Sequence, residues 1–214
     1  MDFDVTYYPK FEEKLNIISH GLGVVLSLIA FPLLVYKAYK TGEALVILSF
    51  VIYGLSMIVL YTASTLYHSA VDKKYRYYLN IFDHASIYVL IAGTYAPVAL
   101  VVLQGKVGWL IFGFSWALAL IGVFFKIYFI GKYRFVSIVT YLGMGWMIVF
   151  AIKSLLQNFS EEGLKMLFFG GVSYSIGAIF FILNKLPYNH AIFHLFVLSG
   201  SICHFIAIYC FALV

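Results

Sequence analysis

The chain has 214 residues, 64% of them hydrophobic and 11% charged, with a formal net charge of +5 and a mean hydropathy of +0.98. Soluble domains carry about 25% charged residues, so this composition excludes an ordinary globular protein and makes lipid the solvent for much of the surface. The positive charge suits anionic headgroups, and no basic cluster argues for nucleic acid.

The N-terminal residues hold Asp2, Asp4, Glu12 and Glu13. They lack the basic n-region and small-residue cleavage site of a signal peptide, so the first span is expected to stay as an uncleaved anchor. Apolar runs of spanning length then follow at Ile17–Tyr36, Ala44–Tyr67, Leu79–Leu103, Val107–Ile130, Phe135–Leu156, Leu164–Leu183 and His190–Leu213. Short polar breaks separate them, and runs of this length in lipid must be helices. The expectation is an all-α integral membrane protein with seven transmembrane helices. Residues 1–16 form a short cytoplasmic segment and 17–214 a single transmembrane domain. Pro32 and Pro97 fall inside spans and should bend them, and Gly93–Pro97 reads either as a hinge beside a cavity or as a tolerated kink. Cys203 and Cys210, both in the last span, read as buried thiols with no disulfide framework.

Seven spans put the termini on opposite faces. The N-terminal side then carries 9 Lys and Arg residues (Lys10, Lys14, Lys73, Lys74, Arg76, Lys126, Lys132, Arg134, Lys185) and the other side 5. The positive-inside rule therefore places the N-terminus in the cytoplasm and the C-terminus outside, in the inner (plasma) membrane.

On this topology His68 ends the second span, Asp83 begins the third, and His190 and His194 open the seventh. All four fall in the inner part of the membrane, although nothing in their sequence spacing forces that agreement. Ser64 lies one turn from His68, on the same face, and His190 and His194 are likewise four apart. Three imidazoles and a carboxylate meeting in low dielectric point to a metal site, with zinc the best fit. Each residue has a blander reading. His68 and His190 suit an interfacial position, whereas His194 lies a turn deeper, where an unpaired imidazole is costlier. Asp83 suits a cation partner or a helix cap, and Ser64 suits a bond to its own i−4 carbonyl. His20 is on the correct side to support the site. His84 should point about 100° away from Asp83, and His204 is too far along its helix to share the ion and should bond helix to helix.

Several stretches together resemble one family: Glu13-Lys-Leu-Asn16-Ile-Ile-Ser19-His20, Ser64-Thr-Leu-Tyr-His68, Phe82-Asp83-His84 through Gly93-Thr94-Tyr95-Ala96-Pro97, and His190-Ala-Ile-Phe-His194 through Gly200. The chain resembles bacterial hemolysin III proteins of the progestin and adiponectin receptor (PAQR) family, in the CREST superfamily of proposed membrane hydrolases. The resemblance implies zinc held by His68, His190 and His194, Asp83 holding the water at the metal, and Ser64 beside it. The long N-terminal extension of the eukaryotic receptors is missing, so recognition of their hormones does not carry over.

The leading expectation is a zinc-dependent hydrolase of amide- or ester-linked membrane lipids, with Asp83 and Ser64 catalytic. The His190–His194 pair has no intervening glutamate of the zincin type, so Asp83 must serve as the base. A non-catalytic sensor of membrane state with structural zinc is the alternative, and cytolysis a further one. A transporter ranks low because Glu43, Glu161 and Glu162 sit only in outer loops. No oligomeric state follows from the sequence; the pairs Gly143–Gly145 and Gly170–Gly171 allow close helix contact without fixing a partner.

Overall fold

The computed structural model describes residues 5–213, so Asp2 and Asp4 lie outside the described residues. The fold is all-helical, with α1 (Lys10–Tyr39), α2 (Ala44–Ser69), α3 (Lys73–Pro97), α4 (Gly105–Phe129), α5 (Arg134–Gly145), α6 (Ile152–Asn158), α7 (Glu161–Ile182) and α8 (Asn189–Phe211). A π-helical stretch, Val98–Leu103, extends α3, and a 3-10 stretch, Trp146–Ala151, joins α5 to α6. Seven spans result, the third being Lys73–Leu103 and the fifth Arg134–Asn158.

Helix ends follow local chemistry. The α1 helix starts at Lys10, just after Pro9, with Glu12 and Glu13 in its first turn, where the helix dipole favours anions. It therefore begins seven residues before the expected first span, because an apolar run ends at the two glutamates while the helix does not. Asp72 caps α3 by accepting from the Tyr75 N–H at 3.0 Å, and Ser160 caps α7 by accepting from the Gly163 N–H at 3.1 Å.

Neighbouring spans pack side by side, and α8 closes the bundle by packing against both α7 and α1. The third span is the most interior, with 72% of its apolar window buried against 17% for α7. Glycine makes this possible at Gly93, where an added Cβ would stand 2.3 Å from Ser56 Oγ on α2. Gly93 is thus a contact point rather than a hinge, and the helical backbone runs unbroken through it. Gly170 plays the same part between α7 and α8, facing His204 and the Gly200 carbonyl. Gly143 and Gly145 have open space where a Cβ would go. The cysteines are free as expected, but neither is buried: Cys203 is partly exposed and Cys210 exposed.

Candidate metal centre

His68 sits in the last turn of α2, and His190 and His194 in the first two turns of α8. All three are buried. Their Nε2 atoms converge: His190 stands 3.2 Å from His68 and 3.1 Å from His194. One ligand atom from each lies within 4.8 Å of the others, so the trio can hold a metal ion. A tetrahedral ion with imidazole bonds of about 2.0 Å needs ligand nitrogens about 3.3 Å apart, which these spacings meet.

The other ring nitrogens set the tautomers. Nδ1 of His68 lies 2.7 Å from Glu13 Oε2 and donates to it, leaving the Nε2 lone pair for the centre. Ser19 Oγ donates to the Asn16 carbonyl, so it accepts from His194 Nδ1 at 3.4 Å, again freeing Nε2. Nδ1 of His190 has no hydrogen-bond partner among the described residues, but its ring stacks on Tyr8 with centroids 4.4 Å apart. His20 stacks on His194 at 3.6 Å and is nearly parallel to it, which puts it directly beside the centre. Both His20 nitrogens, Asn16 Oδ1 and Ser64 Oγ are also buried without hydrogen-bond partners among the described residues. Such a concentration of orphaned polar atoms fits a place built for a bound group.

Behind Glu13 stands Arg76, which pairs with it through Nη2. Arg76 also donates from Nη1 to the carbonyls of Tyr67 (3.3 Å) and Ala70 (3.0 Å), closing the C-terminus of α2 directly beyond His68. Glu12 ties the third corner by accepting from the His190 backbone N–H at 3.2 Å. Among residues 5–9, Tyr8 is the most enclosed aromatic, and burial pushes its hydroxyl above the ordinary phenol range, so it stays neutral.

A cavity of about 350 Å³ adjoins the centre. Its polar end carries His190, His194, His20, Ser64, Asp83 and His84, and its body is lined mainly by apolar residues of α3, α5, α7 and α8. Asp83 is buried on the wall and is not one of the histidine trio within 4.8 Å. Ser64 Oγ faces Asp83 without completing a hydrogen bond, and it does not bond its own i−4 carbonyl. His84 corrects the expectation that it points elsewhere. It lines the same cavity, with Nδ1 3.8 Å from Asp83 Oδ2; the lining takes in the consecutive pairs Asp83–His84 and Leu90–Ile91 of α3, so a 100° step does not carry His84 out of it. His204 bonds α8 to the Leu167 carbonyl of α7 at 3.2 Å, as its position predicts. Arg76 and Lys126, two of the nine N-terminal-side cations, are not surface charges: both are buried, and Lys126 donates to Ser137 Oγ at 2.6 Å.

Glu13, Asn16, Ser19 and Arg76 carry the support of the centre, and sequence alone assigns that role to none of them. The available signal is a polar stripe at helical spacing, Glu13, Asn16 and His20, at the start of an otherwise apolar helix.

Fold and site together define a seven-span membrane protein with a buried three-histidine centre opening on an intramembrane cavity. A family model described as haemolysin-III related matches residues 8–205. Over 197 residues the chain is 46% identical to Hemolysin-3 of Bacillus cereus, covering 92% of this chain and 90% of that protein. It is 46% identical over 201 residues to the Hemolysin-3 homolog of Bacillus subtilis strain 168, covering 93% and 94%. It is also 28% identical over 205 residues to the human monocyte to macrophage differentiation factor, covering 93% and 84%. The chain belongs to the haemolysin-III-related family, in agreement with its resemblance to the PAQR proteins, and is a multi-pass protein of the plasma membrane.

Proposed function

We propose that the protein is a zinc-dependent hydrolase of amide- or ester-linked membrane lipids. The observation that carries this reading is the convergence of three Nε2 atoms at the polar end of an apolar cavity that also exposes Asp83 and Ser64. His68, His190 and His194 would hold the ion. Three neutral imidazoles leave its double charge uncompensated, and such an ion supplies Lewis acidity that polarises a carbonyl and lowers the pKa of water.

The chain's own residues do the rest. Asp83 accepts a hydrogen bond from the attacking water, takes its proton, and returns it to the leaving amine or alkoxide as the acyl C–N or C–O bond breaks. Ser64 Oγ, which has no partner among the described residues, is free to donate to the developing oxyanion. The apolar body of the cavity holds a lipid chain and excludes water from the reacting carbonyl. The N-terminal side, where the centre sits, is the cytoplasmic one on the positive-inside argument.

The test is metal content and turnover measured side by side in detergent-purified protein. Wild type should carry about one zinc per chain and His190→Ala/His194→Ala none. Asp83→Asn should keep the metal and lose turnover of a lipid amide or ester. Turnover unchanged in Asp83→Asn would end the mechanism.

A non-catalytic reading has its own support. The centre joins α2 to α8, so the ion would pin these two helices as a structural zinc would, and α1 is tied to both separately through Glu12 and Glu13. Loss of thermal stability on chelation with no product from any lipid would favour it. Cytolysis, suggested by the names of the Bacillus relatives, gains nothing from the apolar lining of the cavity.

A further inference from the structure

Residues 5–9 run without regular structure before α1, yet they are tied down at several points. The Thr6 carbonyl accepts from Arg76 Nε at 2.8 Å and from the Tyr67 hydroxyl at 3.4 Å. The Tyr7 hydroxyl donates to the Val71 carbonyl at 3.1 Å, and its ring lies under the Arg76 guanidinium at 4.4 Å. The Tyr8 N–H donates to Glu13 Oε1 at 3.1 Å. Each bond fastens the segment to the Glu13–Arg76 pair, to the last turns of α2 or to the α2–α3 turn, so the segment crosses the N-terminal-side end of the centre.

What it delivers there is one aromatic ring. Tyr8 stacks on His190, 4.4 Å away with 19° between planes, and leans against His68 at 5.8 Å. Two of the three converging imidazoles thus share one cover. On the opposite side His194 is covered by His20, which packs edge-on against Tyr61 deep in the bundle. One cover belongs to the helical core and cannot leave. The other belongs to a short segment that lies outside any helix and whose Thr6 and Tyr7 are exposed. Its ties are single contacts at the end of the bundle rather than a helical hydrogen-bond ladder, and such a segment opens locally at less cost than global unfolding.

We infer that residues 5–9 form an openable cap over the aqueous end of the histidine centre, with Tyr8 as its plug. Opening of this cap sets how fast the centre exchanges its metal with the surrounding water. The intramembrane cavity then serves lipid, and the capped end serves the ion and water. This rests on the reading of His68, His190 and His194 as a metal centre.

The experiment uses full-length, zinc-loaded protein in detergent, mixed with excess chelator, with zinc release followed by a metal-sensitive dye. A lost aromatic stack shifts a local opening equilibrium by about tenfold, so Tyr8→Ala should release zinc about ten times faster while still binding one ion per chain. Tyr8→Phe keeps the ring and should match wild type. Release from Tyr8→Ala at the wild-type rate would overturn the cap. A second measurement works without metal: carbethoxylation of His190 in the metal-free protein, read by mass spectrometry. It should be slow in wild type and in Tyr8→Phe and fast in Tyr8→Ala, and equal reactivity in all three refutes the cap. Wild type that takes up no zinc would instead defeat the metal reading, and the carbethoxylation rates would still decide the cap.

Discussion

Glu13 Oε2 lies 2.7 Å from Nδ1 of His68, although 55 residues separate them. The first turn of α1 is thereby built into the end of α2, and the carboxylate fixes which nitrogen of His68 faces the centre. Carboxylate partners of ligating histidines typically affect metal affinity by about 10- to 100-fold. Glu13→Gln should therefore weaken zinc binding by about that factor, measured by competition with a chelating dye, with helicity unchanged. Affinity equal to wild type would mean that His68 needs no orientation.

Arg76 is the counterpart of that carboxylate and is buried. Removing one member of a buried ion pair leaves the other charge uncompensated, at about 3–5 kcal/mol. Arg76→Met should lower the thermal midpoint in detergent substantially. The double variant Arg76→Met/Glu13→Gln should recover part of the loss, because no charge is then stranded. A double variant less stable than the single one would show that the α2 carbonyls, rather than Glu13, are the group that needs Arg76.

Much of this architecture is legible in the sequence, for physical reasons. A run of spanning length with almost no charge has one structural solution in lipid, so the seven spans are readable. The four-residue spacing of His190 and His194, with His68 at a span end, puts the trio at one depth once the spans are counted, and the packing of α8 back onto α1 brings it together. Glu13 and Arg76 are hidden because charges at helix ends ordinarily read as surface charges, and only the packing of α1 on α2 buries them. His84 escapes a reading by helical angle because that angle fixes where a Cα faces but not how wide a cavity is. The separate roles of Gly93 and Gly143 are hidden too, since a glycine in sequence does not say what stands opposite it.

That last distinction can be measured. A methyl group at Gly93 would meet Ser56 on α2, whereas one at Gly143 would meet nothing within 4 Å. Overpacking of this kind costs about 1–3 kcal/mol, whereas alanine in place of glycine in an open helical position gains up to about 1 kcal/mol. Gly93→Ala should therefore lower the thermal midpoint and Gly143→Ala should hold or raise it. Equal effects would place α2 and α3 further apart than described.

Lys126 gives the sharpest test of how charge is carried inside the bundle. It is buried on α4, donates to Ser137 Oγ on α5 at 2.6 Å, and lies 5.8 Å from the centre of the Tyr141 ring. Among the described residues no carboxylate lies within salt-bridge distance of it; Asp83 acts on it electrostatically from further away, and a hydroxyl and an aromatic face make the near contacts. A buried charge held this way contributes little net stability, because its desolvation offsets its hydrogen bond. Lys126→Met, which keeps the length and removes the charge, should leave the thermal midpoint unchanged or raise it. Ser137→Ala should lower it, because the ammonium then loses its acceptor while staying buried. If Lys126→Met is instead the more damaging change, the lysine is a structural tie between α4 and α5 worth more than its desolvation.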